Sequence, residues 1–370
     1  MDGNLILVAR RIEQAAAPEE VFGDLNGCAA DRMAHLKLVF RQLAKVAHPD
    51  MYPGRDDKKL AQAAFSRLTE WLRQAEAKIQ AGLYGSSAGG REAVLTTQRS
   101  VYHIEPDGQE AGVFTLYRAR LEQGDAALPV TLKTPRDPRD NDLAHNEARI
   151  LQVLRAGNAA EKFAAYVPGW VESFLFEEGG VTRQVNVFER ACGWYSLHEV
   201  RAAYPGGIDP KDMAWMWRRL LVALGFAHIN GVIHGAVLPG NICILPEQHG
   251  LRLENWAFAV LNPQASGEII AAVDADYEDW YPNEVRNSEP PAAATDIAMS
   301  ARCMIYLLGG DPVRGAMPAR VPAAVQMFLK SCILPGKRAR PQEAWGLKEE
   351  FDELLQRLWG ERKFHPFSMQ

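Results

Sequence analysis

No stretch of this chain approaches eighteen uninterrupted apolar residues, so nothing in it is long enough to cross a bilayer as a helix. Its first residues, Met1-Asp-Gly-Asn, lack a basic region followed by an apolar one, which argues against export and for a cytoplasmic protein. Cysteine is sparse. Cys28, Cys192, Cys243, Cys303 and Cys332 are odd in number, widely spaced and without a C-x-x-C pair. That disfavours both a disulfide framework and a zinc site, leaving small apolar core residues in a reducing compartment. A strong charge of either sign is also missing. The formal net charge of −5 argues against a protein that lives on nucleic acid. No repeat of solenoid period is evident. What the chain does have is length, 370 residues with 47% hydrophobic content, enough for more than one core.

The first eighty residues read as one helical unit. Pro18 to Leu25 suits a short helix, and Ala30 to Ala47 a longer one with Leu36, Val39, Phe40, Leu43 and Ala47 on one apolar stripe. Lys37, Arg41 and Lys45 recur every fourth residue and form a second, basic stripe on that helix. A turn, His48-Pro49-Asp50-Met-Tyr-Pro53-Gly54, leads to a second amphipathic helix from Asp56 to Ile79, whose buried face would hold Ala61, Phe65, Leu68 and Leu72. The short connection makes the two helices antiparallel and leaves His-Pro-Asp at the tip.

This arrangement resembles the J-domain of the DnaJ co-chaperones, with Val21-Phe22-Gly23-Asp24-Leu25 in the place of the family's first helix. Proline fixes the tip, Asp50 offers a charge and the basic stripe steers an acidic partner. The resemblance implies that this partner is a DnaK-class heat-shock ATPase, bound through His48, Pro49, Asp50, Lys37, Arg41 and Lys45. Val46 departs from the family, which often has a basic residue two positions before the histidine.

Glycines and serines from Ala81 to Arg99 mark a flexible linker. Strand patterns follow at Ser100 to Ile104, Val113 to Arg120 and Leu128 to Lys133, separated by turns. Farther on, an apolar helical pattern through Trp215, Leu220, Leu221, Leu224 and Phe226 ends at Gly231. The run His234-Gly-Ala-Val-Leu-Pro-Gly-Asn-Ile-Cys-Ile244 comes next, with a short strand at Ile242 to Leu245, and Leu251-Arg-Leu253 leads into Glu254-Asn255-Trp256.

These pieces resemble, in order, the eukaryotic-like protein kinases. Val130-Thr-Leu-Lys133 is similar to the third-strand Val-Ala-Ile-Lys, and Glu147 to its helical partner. The run from His234 is similar to the catalytic loop, and Asn255 stands where the family has the aspartate of Asp-Phe-Gly. Tyr281-Pro282-Asn283-Glu284 resembles Ala-Pro-Glu. Asp296 opens an apolar run that resembles the central helix of the second lobe, and Arg340 is similar to a late arginine that pairs with the Ala-Pro-Glu carboxylate, here Glu284. The fold expected is therefore multi-domain: an all-α J-domain hairpin over 1–80, a linker over 81–99, an α+β bilobal kinase-like domain over 100–362 and a tail over 363–370.

Several working groups of that family are absent. Ala236 stands in place of the catalytic aspartate and can take no proton; losing such a base typically costs ~10²–10⁴ in rate. Asn255 brings no negative charge to a metal, and Leu238 replaces a phosphate-contacting lysine. Gly108-Gln-Glu-Ala-Gly112 has too few glycines for close backbone approach to phosphates, and Glu110 adds an anion. The reading is a pseudokinase without enzymatic activity of its own: an adaptor that recruits the DnaK-class ATPase and binds a client or regulatory protein, with no required cofactor or metal. ATP is the one candidate ligand, at Lys133, Glu147 and Asn241. The rival reading is an atypical kinase or nucleotidyl transferase, with Asp274 and Asp276 replacing a missing metal ligand.

Overall fold

The computed structural model describes residues 3–23, 25, 29–52, 54–80, 84, 93–123, 126–190 and 193–369. Cys28, Cys192 and most of the expected linker lie outside them. Contacts divide the chain into a first unit of residues 1–93 and 191–193 and a second comprising 94–190 and 194–370.

The first unit is helical: α1 (Gly3–Gln14), α2 (Pro18–Phe22), α3 (Ala29–Ala47) and α4 (Arg55–Gln80). Along α4, Ala61, Ala64, Leu68, Trp71, Ala75 and Ile79 are buried, while Phe65 and Leu72 sit half-buried beside them. The stripe thus lies partly on neighbours of the residues expected, because α1 occupies an additional flank. That helix buries Leu5, Ala9 and Ile12, and Trp71 Nε1 donates to Ile12 O at 3.1 Å. Lys78 Nζ donates to both oxygens of Glu19 at 2.9 Å, tying α4 to α2.

The second unit opens with seven antiparallel strands: β1 (Ala93–Thr96), β2 (Val101–Ile104), β3 (Gln109–Ala111), β4 (Phe114–Gln123), β5 (Ala126–Pro135), β6 (Trp170–Glu178) and β7 (Val181–Glu189). The order is β1-β2-β4-β5-β7-β6, with β3 against β4. The sheet curls, since Tyr102 Oη on β2 donates to Glu172 Oε1 on β6 at 2.6 Å although those strands lie near opposite ends of the order. Helix α5 (Asn141–Ala156) packs its buried face, Leu143, Ala144, Glu147, Ala148, Ile150, Leu151 and Leu154, between β5 and the residues that follow.

The rest of the unit is mainly helical. The helix Pro210–Ile229 is buried along most of its length, with Arg218 and Arg219 half-buried, and packs against Ala293–Leu307 and Ala344–Trp359. Short strands Tyr195–Ser196, Ile242–Leu245 and Gly250–Leu253 form a second sheet along its edge.

Two expected boundaries move. Thr97 and Ser100 close a turn after β1, Thr97 N donating to Ser100 O at 2.9 Å, so the end of the expected linker belongs to the sheet. The expected tail is pinned to the body. Phe367 is buried, Tyr204 Oη donates to Ser368 O at 2.6 Å, and His365 Nδ1 lies 2.6 Å from Asp212 Oδ1. Phe364 stacks on His249, whose other face stacks on Trp215. The glycine loop is also no loop: residues 109–111 form β3, joined to β4 by Gly112 and Val113.

Candidate functional site

Lys133 leaves β5 on the face toward α5, and Glu147 leaves α5 one turn above its first buried residues. The two meet in the interior: Lys133 Nζ donates to Glu147 Oε1 at 2.8 Å, with the side chains 8% and 1% exposed. An ammonium at this depth needs a carboxylate. Glu147 has further donors, from Trp256 N at 3.0 Å and Asn186 Nδ2 at 3.2 Å, so its buried charge is well satisfied. Asn186 on β7 was not singled out from the sequence. A lone polar residue in an apolar strand run, Val185-Asn-Val187, is the signal that could have marked it.

A chain of amides runs from the ammonium to the loop at 234–241. Lys133 Nζ donates to Asn255 Oδ1 at 2.8 Å, Asn255 Nδ2 to Asn241 Oδ1 at 3.2 Å, and Asn241 Nδ2 to Ala236 O at 2.9 Å. Asn255 is left-handed, at φ 61°, a conformation asparagine tolerates better than most residues. Of the residues singled out beforehand, Lys133, Glu147, Asn241, Asn255 and Ala236 come together here. Leu238 lies on the same loop, buried.

Asp296 holds that loop from beneath. Fully buried, it accepts from His234 N at 2.8 Å and Gly235 N at 2.9 Å, and His228 Nε2 lies 2.9 Å from it. Gly235 sits at φ +73° with Phe258 O 3.0 Å from where a Cβ would stand, which requires glycine. Burial holds the His234 imidazole below its ordinary value. Its Nδ1 lies 3.2 Å from the Ala236 N–H and its Nε2 2.9 Å from Glu254 O. The neutral ring with its proton on Nε2 satisfies both contacts.

Arg340 and Glu284 form a separate buried pair, Nη2 donating to Oε1 at 2.5 Å, with Thr295 Oγ1 donating to the same oxygen at 2.9 Å. Asp274 and Asp276 lie exposed in a turn where the Asp276 N–H donates to Asp274 Oδ1 at 3.0 Å. Among the described residues, no group of three or more His, Cys, Asp or Glu is placed to hold a metal. Tyr277 follows that turn, its Oη 2.5 Å from His198 Nε2, and burial pushes the phenol up to about 12. A cavity of about 950 Å³ lies away from the Lys133 group, lined by residues 95–99, Gln152 and 170–176.

In the first unit, His48 Nδ1 accepts from the Asp50 N–H at 3.3 Å, and its ring meets Phe65 edge-on at 5.4 Å. Asp50 is exposed, as are Lys37, Arg41 and Lys45. Pro49 opens a single turn of 3₁₀ helix.

No family model matches the chain. Over 167 residues, 45% of its length, it is 23% identical to a Caenorhabditis elegans protein named calcium/calmodulin-dependent protein kinase type 1, covering 43% of that protein. Over 220 residues, 54% of its length, it is 25% identical to serine/threonine-protein kinase PKZ1 of Phytophthora infestans, covering 51% of that one. The chain spans about half the length of the curated relatives it matches. Both stretches are longer than the first unit, so part of each falls on the second, and the likeness supports a protein-kinase-like fold. The relatives are named as protein kinases, which points to enzymatic activity and corrects the expectation of a chain with none.

The residues present fit the two groups such a fold implies unequally. Lys133, its ammonium already held by Glu147 and Asn255, carries the charge that a nucleotide's phosphates would need. A magnesium ion would find the neutral amides of Asn241 and Asn255 where it favours carboxylates, and that donor set does not fit it.

Proposed function

We propose that the second unit is an atypical ATP-dependent transferase of the kinase-like class, passing a phosphoryl or nucleotidyl group to a protein acceptor. The first unit, in this reading, is a J-type hairpin that engages a DnaK-class ATPase. The observation that carries the enzymatic part is the buried Lys133–Glu147 pair joined through Asn255 to the loop at Asn241. Glu147 orients an ammonium that can neutralise charge on transferring phosphates, which is most of what such transfer needs from a protein. Ala236 offers no base, so the acceptor hydroxyl gives up its proton to solvent or to a phosphate oxygen, and turnover is slower by ~10²–10⁴ than with a positioned base.

Support for the hairpin part comes from the exposed Asp50 at the tip beside an exposed stripe of Lys37, Arg41 and Lys45. The three cations suit steering of an acidic partner, and Asp50 offers a separate charge at the tip.

A thermal-shift titration of the full chain with ATP tests the first part. A ligand at a hundred times its dissociation constant stabilises by ~2.7 kcal/mol, so millimolar ATP raises the midpoint of the second unit and Lys133→Met removes the rise. No rise in the unaltered chain counts against the reading. For the hairpin, His48→Gln is expected to abolish stimulation of a DnaK-class ATPase by the full chain. Equal stimulation by both forms, or none by either, rejects that part.

A further inference from the structure

The geometry points to Phe114 as the occupant of the phosphate seat at Lys133, a ring that must leave before a nucleotide's phosphates can bind. This rests on the nucleotide reading above and adds to it a residue that sets affinity.

An ammonium has three N–H groups. In Lys133 one meets Glu147 Oε1 and another Asn255 Oδ1, each at 2.8 Å, and the Phe114 ring centre lies 4.1 Å from Nζ. With the side chain 8% exposed, these three groups leave little of the ammonium open to solvent or to a phosphate oxygen. A phosphate therefore has to displace one of the three. Taking the place of Glu147 strands a buried carboxylate, and taking that of Asn255 breaks the amide chain to the loop. The cation–π contact is the weakest of the three and the first to yield.

The strand pairing shows why the ring lies there. Phe114 pairs with Ala111 across a two-residue turn in which Gly112 sits at φ 58°. Its side chain is 2% exposed and packs with Leu143 and Ala144 of α5 and with Ala257 and Phe258, just after Asn255. That cluster holds the ring over Lys133. Outside it, β3 is three residues long and wholly exposed. The turn is also tied to β5 and the residue after it: Arg136 N donates to Val113 O at 2.9 Å, Arg136 Nη1 to Gly112 O at 3.4 Å, and Phe114 itself pairs with Pro135, beside the surface pair of Arg136 and Glu110 at 3.1 Å.

The test is an ATP titration of the full chain by calorimetry, comparing the unaltered protein with Phe114→Ala and Phe114→Leu. Removing a cation–π competitor is expected to tighten ATP binding about 3- to 30-fold in the alanine form, with leucine also tighter than phenylalanine. If alanine at this position does not fold, the leucine form decides. Binding by the unaltered chain that is as tight as, or tighter than, binding by the variants overturns the role of Phe114 and leaves the nucleotide reading intact. Absence of binding by all forms overturns both. Binding by the variants alone supports both.

Discussion

Replacing Arg340 by alanine removes the cation from a pair in which both residues are almost wholly buried. Glu284 would keep only the Thr295 hydroxyl, which donates to Oε1 at 2.9 Å, and would face the interior as an uncompensated charge. Breaking a buried pair in this way costs ~3–5 kcal/mol, whereas replacing both partners by packed apolar residues is often neutral. Arg340→Ala should therefore be severe, and Arg340→Leu combined with Glu284→Leu mild. Of the nine tryptophans, all but Trp71 lie in the second unit, so urea unfolding followed by tryptophan fluorescence reports mainly on that unit. In a thermal melt of a unit of this size the loss corresponds to a fall in midpoint of roughly 6–20 °C. A cost below about 1 kcal/mol for the single change, or a double variant as unstable as the single one, would refute the argument.

Two further outcomes follow from the packing. Burial holds His234 below its ordinary value of 6.5, so below that pH the unfolded chain takes up a proton that the folded chain resists; stability is full above it and falls as pH drops. One such group contributes a slope of at most ~1.4 kcal/mol per pH unit. His198 and His249 are lowered in the same direction, so His234→Gln should flatten the decline between roughly pH 7 and 5.5 without abolishing it. Equal slopes in urea titrations of the two proteins would contradict this. At the far end of the chain, Phe367→Ala should cost ~3 kcal/mol, because its ring is part of the main core. An unchanged urea midpoint would mean that residues 363–369 do not anchor there.

Much of the layout could be read from the chain because local pattern and tertiary role agree at those places. Ile242–Leu245 is a strand over the residues its apolar run suggested, and the helix through Trp215 and Phe226 runs from Pro210 to Ile229. Lys133 and Glu147 were linked by motif order, and the structure places them 2.8 Å apart. What escaped depends on distant packing. Leu5, Ala9 and Ile12 lie at helical spacing, yet that segment was weighed only for a targeting signal. Ala93–Thr96 borders a glycine-rich stretch whose composition masked a strand. Phe364 and Phe367 read as tail residues, since nothing local reveals that His249, Trp215 and Tyr204 wait for them. Phe114 looks like any strand aromatic until Lys133 is beside it.

The central claim is that Lys133 presents ATP for transfer. Purified full-length protein should be incubated with an acceptor protein and ATP labelled either on the γ-phosphate or on the α-phosphate. Slow incorporation of one label into protein, abolished by Lys133→Met, is the expected result, with the labelled position distinguishing phosphoryl from nucleotidyl transfer. Incorporation of neither label, or incorporation unaffected by Lys133→Met, would contradict it.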